Sequence, residues 1–70
     1  MSSADALANR LRELRARDGI TQAELAERVG VTRKTINTVE NRVFVPSTIL
    51  ALKLAAALGV TVEEIFQLAG

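Results

Sequence analysis

The sequence predicts an all-α fold of five short helices, and three observations carry that prediction. Apolar residues recur three and four apart along almost the whole chain, the spacing of a helix face and not of a strand. Two Thr-x-x-Glu boxes, Thr21 to Glu24 and Thr61 to Glu64, mark helix starts. Glycines at 19, 30 and 59 fall where the apolar periodicity stops. The strand signal is almost absent, since only Val43-Phe44-Val45 has extended character and it has no partner.

A single domain over residues 1–70 is expected, with helices at about 4–17, 21–29, 32–41, 47–58 and 61–68. In the first helix, Leu7, Leu11 and Leu14 fall at i, i+4 and i+7, with Ala4 and Ala8 beside them. Asp18-Gly19 stops it. The first Thr-x-x-Glu box opens the second helix, which turns Leu25, Ala26 and Val29 inward and ends at Gly30, where a left-handed backbone is cheap. Thr32 caps the third helix, with Ile36 and Val39 inward. Pro46-Ser47 opens the fourth, whose expected inward residues are Ala51, Leu54, Ala55 and Leu58. The fifth begins at Thr61 and turns Val62, Ile65 and Phe66 inward.

Composition narrows the function. A chain this short buries only about 60% of the surface its unfolded form exposes, so it needs tight packing, a staple or a partner. With no cysteine and no histidine, disulfides and the usual zinc sites are excluded, and no metal or cofactor is expected. The N-terminus lacks a signal-peptide pattern, and the longest apolar stretch, Ile49 to Leu58, is too short to cross a bilayer. A cytoplasmic protein without membrane contact is expected. Net charge is only +1. Its distribution is uneven: between residues 28 and 53, Arg28, Arg33, Lys34, Arg42 and Lys53 face Glu40 alone, a local excess of +4.

The interval between the second and third helices is the informative part. A connection as short as Gly30 to Thr32 forces a steep crossing, Ala26 is small where the helices meet, and Ile36 and Val39 fill the corner. These positions describe a helix-turn-helix. At 100° per residue, Lys34, Thr38 and Asn41 then lie opposite the buried stripe, with Asn37, Arg33 and Thr35 at its edges. A duplex major groove admits one α-helix and presents base edges rich in acceptors. Arg33 or Lys34 can donate to guanine O6 and N7, Asn37 can pair with an adenine edge, and threonine methyls can rest on thymine methyls. Arg42, Asn41 and the first amides of the second helix suit phosphate.

The stretch TQAELAERVGVTRKTINTVEN, residues 21–41, resembles the helix-turn-helix of the phage repressor and Cro family, the XRE-type lambda-repressor-like regulators. The matching positions are Gln22, Ala23, Leu25, Ala26, Gly30, Val31, Ile36, Val39, Glu40 and Asn41. The likeness continues upstream through LRELRARDGIT and downstream through PSTILALKLAAALGVTVEEIF, covering about residues 7–67. It implies a compact five-helix lambda-repressor-like fold and a prokaryotic, sequence-specific double-stranded DNA-binding regulator. A homodimer on a palindromic operator, repressing by occupancy, is implied as well. Residues at the positions of Arg33, Lys34, Thr35 and Thr38 read bases in such families, and Asn37 joins them here. Gln22 and Asn41 contact phosphate, and Thr32 and Arg42 are assigned to the same role. Arg15 and Glu40 match a structural salt bridge between the first and third helices.

Two departures stand out. The residue after Asn41 is commonly glycine in the family and is Arg42 here, so a left-handed residue at that point is either Asn41 or Arg42. The loop Val43-Phe44-Val45 is more apolar than the polar loops often found there. In the fourth helix Ile49, Leu50 and Leu52 are left over once the inward set is filled, which suggests a second buried surface. A two-fold dimer is expected to use Phe44, Ile49, Leu50 and Phe66.

Other function classes fit less well. Without histidine, cysteine, tyrosine or a glycine-rich phosphate loop, an enzyme is not expected, and adjacent Glu63 and Glu64 diverge on a helix. The rival is a protein-interaction module such as an antitoxin or controller. Arginine, lysine and threonine at 33, 34 and 38 favour DNA. No small-molecule effector is expected in a chain of this length.

Overall fold

A computed structural model describes residues 6–69. The elements run β1 (Leu7–Asn9), α1 (Leu11–Arg17), α2 (Gln22–Val29), α3 (Arg33–Glu40), α4 (Thr48–Leu58), α5 (Val62–Ile65) and β2 (Phe66–Leu68). Five helices are present, but the all-α expectation is corrected by a small two-stranded antiparallel sheet. It pairs Leu7 with Leu68, Ala8 with Gln67 and Asn9 with Phe66.

The sheet shortens the two terminal helices relative to the sequence expectation. The first helix starts at Leu11, not near residue 4; residues 4 and 5 lie outside the described residues. Asn9 explains the start. Its Oδ1 accepts from the Leu11 amide at 3.1 Å, while its Nδ2 donates to the Val39 carbonyl at 3.0 Å. The Arg10 amide donates to the Ile65 carbonyl at 2.8 Å. The fifth helix ends at Ile65, not 68, because Phe66 is extended at φ −114°, ψ 133°. The Gln67 side chain donates to the Glu63 and Glu64 carbonyls that a continuing helix would have engaged.

The three central helices keep their expected positions within a residue. Thr21 forms a reciprocal capping box with Glu24 and Thr61 with Glu64, while Thr32 and Ser47 each accept an amide from the first turn. Gly30 ends α2 in the left-handed region at φ 75°. Arg42 takes the left-handed conformation at φ 60°, and Asn41 does not, with φ −88°.

One core joins all five helices. Leu11, Leu25, Ile36, Leu54, Ile65 and Val39 are its largest fully buried side chains. Leu50 belongs to this core, although the sequence left it for an outer surface, and Ala51 is only half-buried. The segment TILALKLAAAL is apolar on nearly every side, so spacing does not select its inner face; its packing against α2 and α5 does. Val43, Phe44, Val45, Ile49, Leu52 and Leu68 remain exposed.

Candidate nucleic-acid interface

The turn between α2 and α3 spans only residues 30–32. Ala26 at 3% exposure lets the helices approach, and Ile36 and Val39 at 0% and 1% anchor α3 from behind. With that face buried, Arg33, Lys34 and Asn37 stand exposed on the other, and Asn41 follows at the C-cap. Gln22, Arg33, Lys34 and Asn37 line one open cleft, and Arg33 also borders the N-terminus of α2 beside Thr21 and Ala23. The Gln22 and Ala23 amides open α2 and have no carbonyl a turn below them, which makes that end attractive to an anion.

Thr35 and Thr38 are half-buried, less open than the helical wheel placed them. The chain after α3 folds back, and the amides of Val43 and Phe44 both donate to the Thr38 carbonyl. The Thr38 hydroxyl donates to the Thr35 carbonyl at 2.9 Å, and the Thr32 and Thr35 hydroxyls are 3.1 Å apart.

Glu40 is the hub behind this face. Its side chain has no solvent exposure. Arg15 donates through Nε to Oε2 at 2.8 Å and through Nη2 to Oε1 at 3.3 Å. Arg12 donates through Nε to Oε1 at 3.3 Å, and Gln22 Nε2 to the same oxygen at 3.1 Å. Burial by itself pushes the Glu40 carboxyl up. Hydrogen bonds from Arg15, Gln22 and Arg12 outweigh it and hold the group below the usual carboxylate range. The Arg15 guanidinium is raised, chiefly by its hydrogen bond to Glu40. It also donates to the Ile20 carbonyl at 2.9 Å, so α1, the loop that leads into α2, and α3 are tied at one point.

Side chains of the expected phosphate set also bond within the domain. Both amide hydrogens of Gln22 are engaged, one on Glu40 and one on Asn37 Oδ1 at 3.2 Å. Asn41 Nδ2 donates to the Asn37 carbonyl at 2.9 Å and to Asn37 Oδ1 at 3.1 Å. Arg42 Nε donates to the Leu7 carbonyl at 3.1 Å, which turns it toward β1. Of the expected dimer residues, Phe44 and Ile49 are exposed and Leu50 is buried. Phe66 is half-buried in an apolar cleft with Leu7, Ala51, Leu52 and Val62.

Sequence reasoning missed Arg12, whose Nη2 donates to Asn41 Oδ1 at 3.1 Å while its Nε holds Glu40. A signal existed: Arg12 lies three residues before Arg15 and so shares its helix face. Among the described residues no group of three Asp, Glu, His or Cys side chains is placed to hold a metal, and no helix is long and apolar enough to cross a membrane.

The sequence profile of the helix-turn-helix family matches residues 11–65. An HTH-type transcriptional regulator of Bacillus subtilis (strain 168), YgzD, is 47% identical over 60 residues, covering 86% of this chain and 91% of that protein. An HTH-type transcriptional regulator of Methanothermobacter thermautotrophicus is 54% identical over 59 residues, covering 83% and 86%. Among solved structures, the restriction-modification controller protein C.AhdI from Aeromonas hydrophila superposes with a TM-score of 0.74 at 40% identity. That likeness covers 79% of this chain and 80% of the controller.

Proposed function

The chain belongs to the XRE-type helix-turn-helix family of DNA-binding transcription regulators, and from that premise we propose that it is a repressor that binds a palindromic operator as a homodimer. One observation carries the reading: Ile36 and Val39 are buried to 0% and 1% while Arg33, Lys34 and Asn37 project from the opposite side of the same helix. In this reading α3 lies in the major groove. Arg33, Lys34 and Asn37 reach base edges, with Thr35 and Thr38 offering methyls and hydroxyl oxygens. Gln22 through its main-chain amide, Thr32, Asn41 and Arg42 flank the groove on the phosphate side. Phosphate contacts set register and orientation, and the base contacts set sequence.

The second copy is proposed to pack on the exposed apolar surface of Phe44, Ile49 and Leu52, with the cleft around Phe66 at its edge. Two recognition helices then meet successive major grooves about 34 Å apart, and occupancy follows protein concentration through the monomer–dimer equilibrium. The likeness to a restriction-modification controller supports promoter control as the setting. Selection of bound fragments from random duplex DNA tests the whole reading. A two-fold symmetric motif with half-sites about one helical turn apart is expected. No enrichment at low ionic strength overturns DNA recognition, an asymmetric single half-site overturns the palindrome, and a monomer with and without DNA in sedimentation overturns the dimer.

A further inference from the structure

The outward chemistry of α3 is set by groups that do not face outward. A side-chain amide can present its oxygen or its NH2, and its neighbours decide which. Arg12 is a donor with no acceptor, so Asn41 must turn its oxygen to Arg12 Nη2 at 3.1 Å. The Asn41 NH2 then points at Asn37 and donates to its Oδ1 at 3.1 Å. On the other flank, ionised Glu40 is an acceptor with no donor, so Gln22 must turn its NH2 inward. Its second hydrogen meets the same Asn37 oxygen at 3.2 Å. Two chains, one beginning at Arg12 and one at Glu40, and joined at their origin by the bond from Arg12 Nε to Glu40 Oε1, converge on Asn37 Oδ1. Turning the Asn37 amide over would set its NH2 against two other NH2 groups. Its oxygen is occupied by two donors, and its Nδ2 has no acceptor among the described residues and is left to donate from an exposed side chain.

We infer that Asn37 is a donor-only reader that selects guanine over adenine, its orientation fixed by Arg12 through Asn41 and by Glu40 through Gln22. The inference rests on the proposal that α3 enters the major groove. The usual bidentate pairing of asparagine with adenine needs the amide oxygen to accept from N6 while the NH2 donates to N7. That oxygen is not available here. Guanine presents two acceptors, O6 and N7, to an outward NH2, whereas adenine offers N7 alone and sets its N6 amine against a donor at the other position, so the preference comes from O6. Arg33 and Lys34, also donors only, extend the same preference along the helix. Arg12 and Gln22 act through Asn37 here and are positioning residues for the base it reads.

The test is fragment selection from random duplex DNA with the wild type, Asn37→Ala, and the double variant Arg12→Met/Gln22→Met. Asn37→Ala identifies the base it reads, as the position in each half-site whose preference disappears. There the wild type is expected to take guanine over adenine by about tenfold, within the range of one good base contact. The double variant removes the Gln22 donor and loosens Asn41, which keeps only its bonds to Asn37, and the ratio at that position is expected to fall several-fold while the other positions keep their preferences. A residue that merely supported the fold would weaken all positions together. If the double variant selects nothing, Arg12→Met alone is read, with the ratio expected to fall part-way and Arg12→Lys expected to restore it. Adenine preferred by the wild type, a guanine-to-adenine ratio unchanged in the variants, or no position sensitive to Asn37→Ala each overturns the inference. Failure of the wild type to enrich any sequence overturns the DNA-binding proposal beneath it instead.

Discussion

Replacing Glu40 with glutamine is expected to destabilise the protein by about 3 kcal/mol, because it leaves guanidinium groups facing a neutral amide inside the molecule. The magnitude follows from the surroundings. The Glu40 side chain has 0% exposure and accepts from Arg15, Arg12 and Gln22. Removing one half of a buried pair typically costs about 3–5 kcal/mol. Arg15 is 17% exposed and keeps its bond to the Ile20 carbonyl, so the low end of that range applies. A domain of this size holds roughly 4–10 kcal/mol in total. A loss of about 3 kcal/mol lowers the melting temperature by about 12–24 °C. Thermal and urea unfolding followed by circular dichroism at neutral pH measures it. A cycle with Arg15→Met separates the pair from general damage: once either partner is gone, losing the other should cost about 1 kcal/mol or less. Costs that add to within about 0.5 kcal/mol across the cycle would refute the hub account of Glu40.

Acid should act on the same group. Its pKa is lowered in the fold from an ordinary 4.5, so the unfolded chain binds the proton more readily. The contribution to stability is complete above that value and is lost as pH falls through the lower folded pKa. The melting temperature of the wild type is expected to fall more steeply below about pH 4.5 than that of Glu40→Gln, and parallel curves would contradict the assignment. Gly30→Ala should cost about 1–2 kcal/mol in urea unfolding purely through its backbone, since φ is 75° and an added Cβ meets nothing within 4 Å. Lys34→Ala is expected to weaken specific binding by about 1–3 kcal/mol and binding to random DNA much less; equal losses in a titration would restrict Lys34 to phosphate.

The parts of this protein legible in its sequence are those decided within a few residues. A threonine hydroxyl reaches the third amide ahead, so both capping boxes and the start of α3 could be read directly. The stripe Leu25, Ala26, Val29 and the pair Ile36, Val39 follow from helical spacing alone, and with the glycine turn they fixed which side of α3 faces outward. The sheet was illegible because Leu7–Asn9 and Phe66–Leu68 find their partners at opposite ends of the chain; each fits a helical pattern locally, and only cross-strand hydrogen bonds outbid that pattern. The inner face of α4 was illegible for another reason: Leu50 and Ile49 are equally apolar, and only docking against the other helices buries one and exposes the other. The same division runs through the candidate interface. Sequence named Arg33, Lys34 and Asn37, but the direction of the Asn37 amide depends on a cation from α1 and an anion held out of solvent, brought together only when the helices pack. Local bonding chose the elements and their outward residues, and tertiary packing chose what those residues offer, because a hydrogen-bond donor or acceptor is oriented by whatever the fold sets beside it.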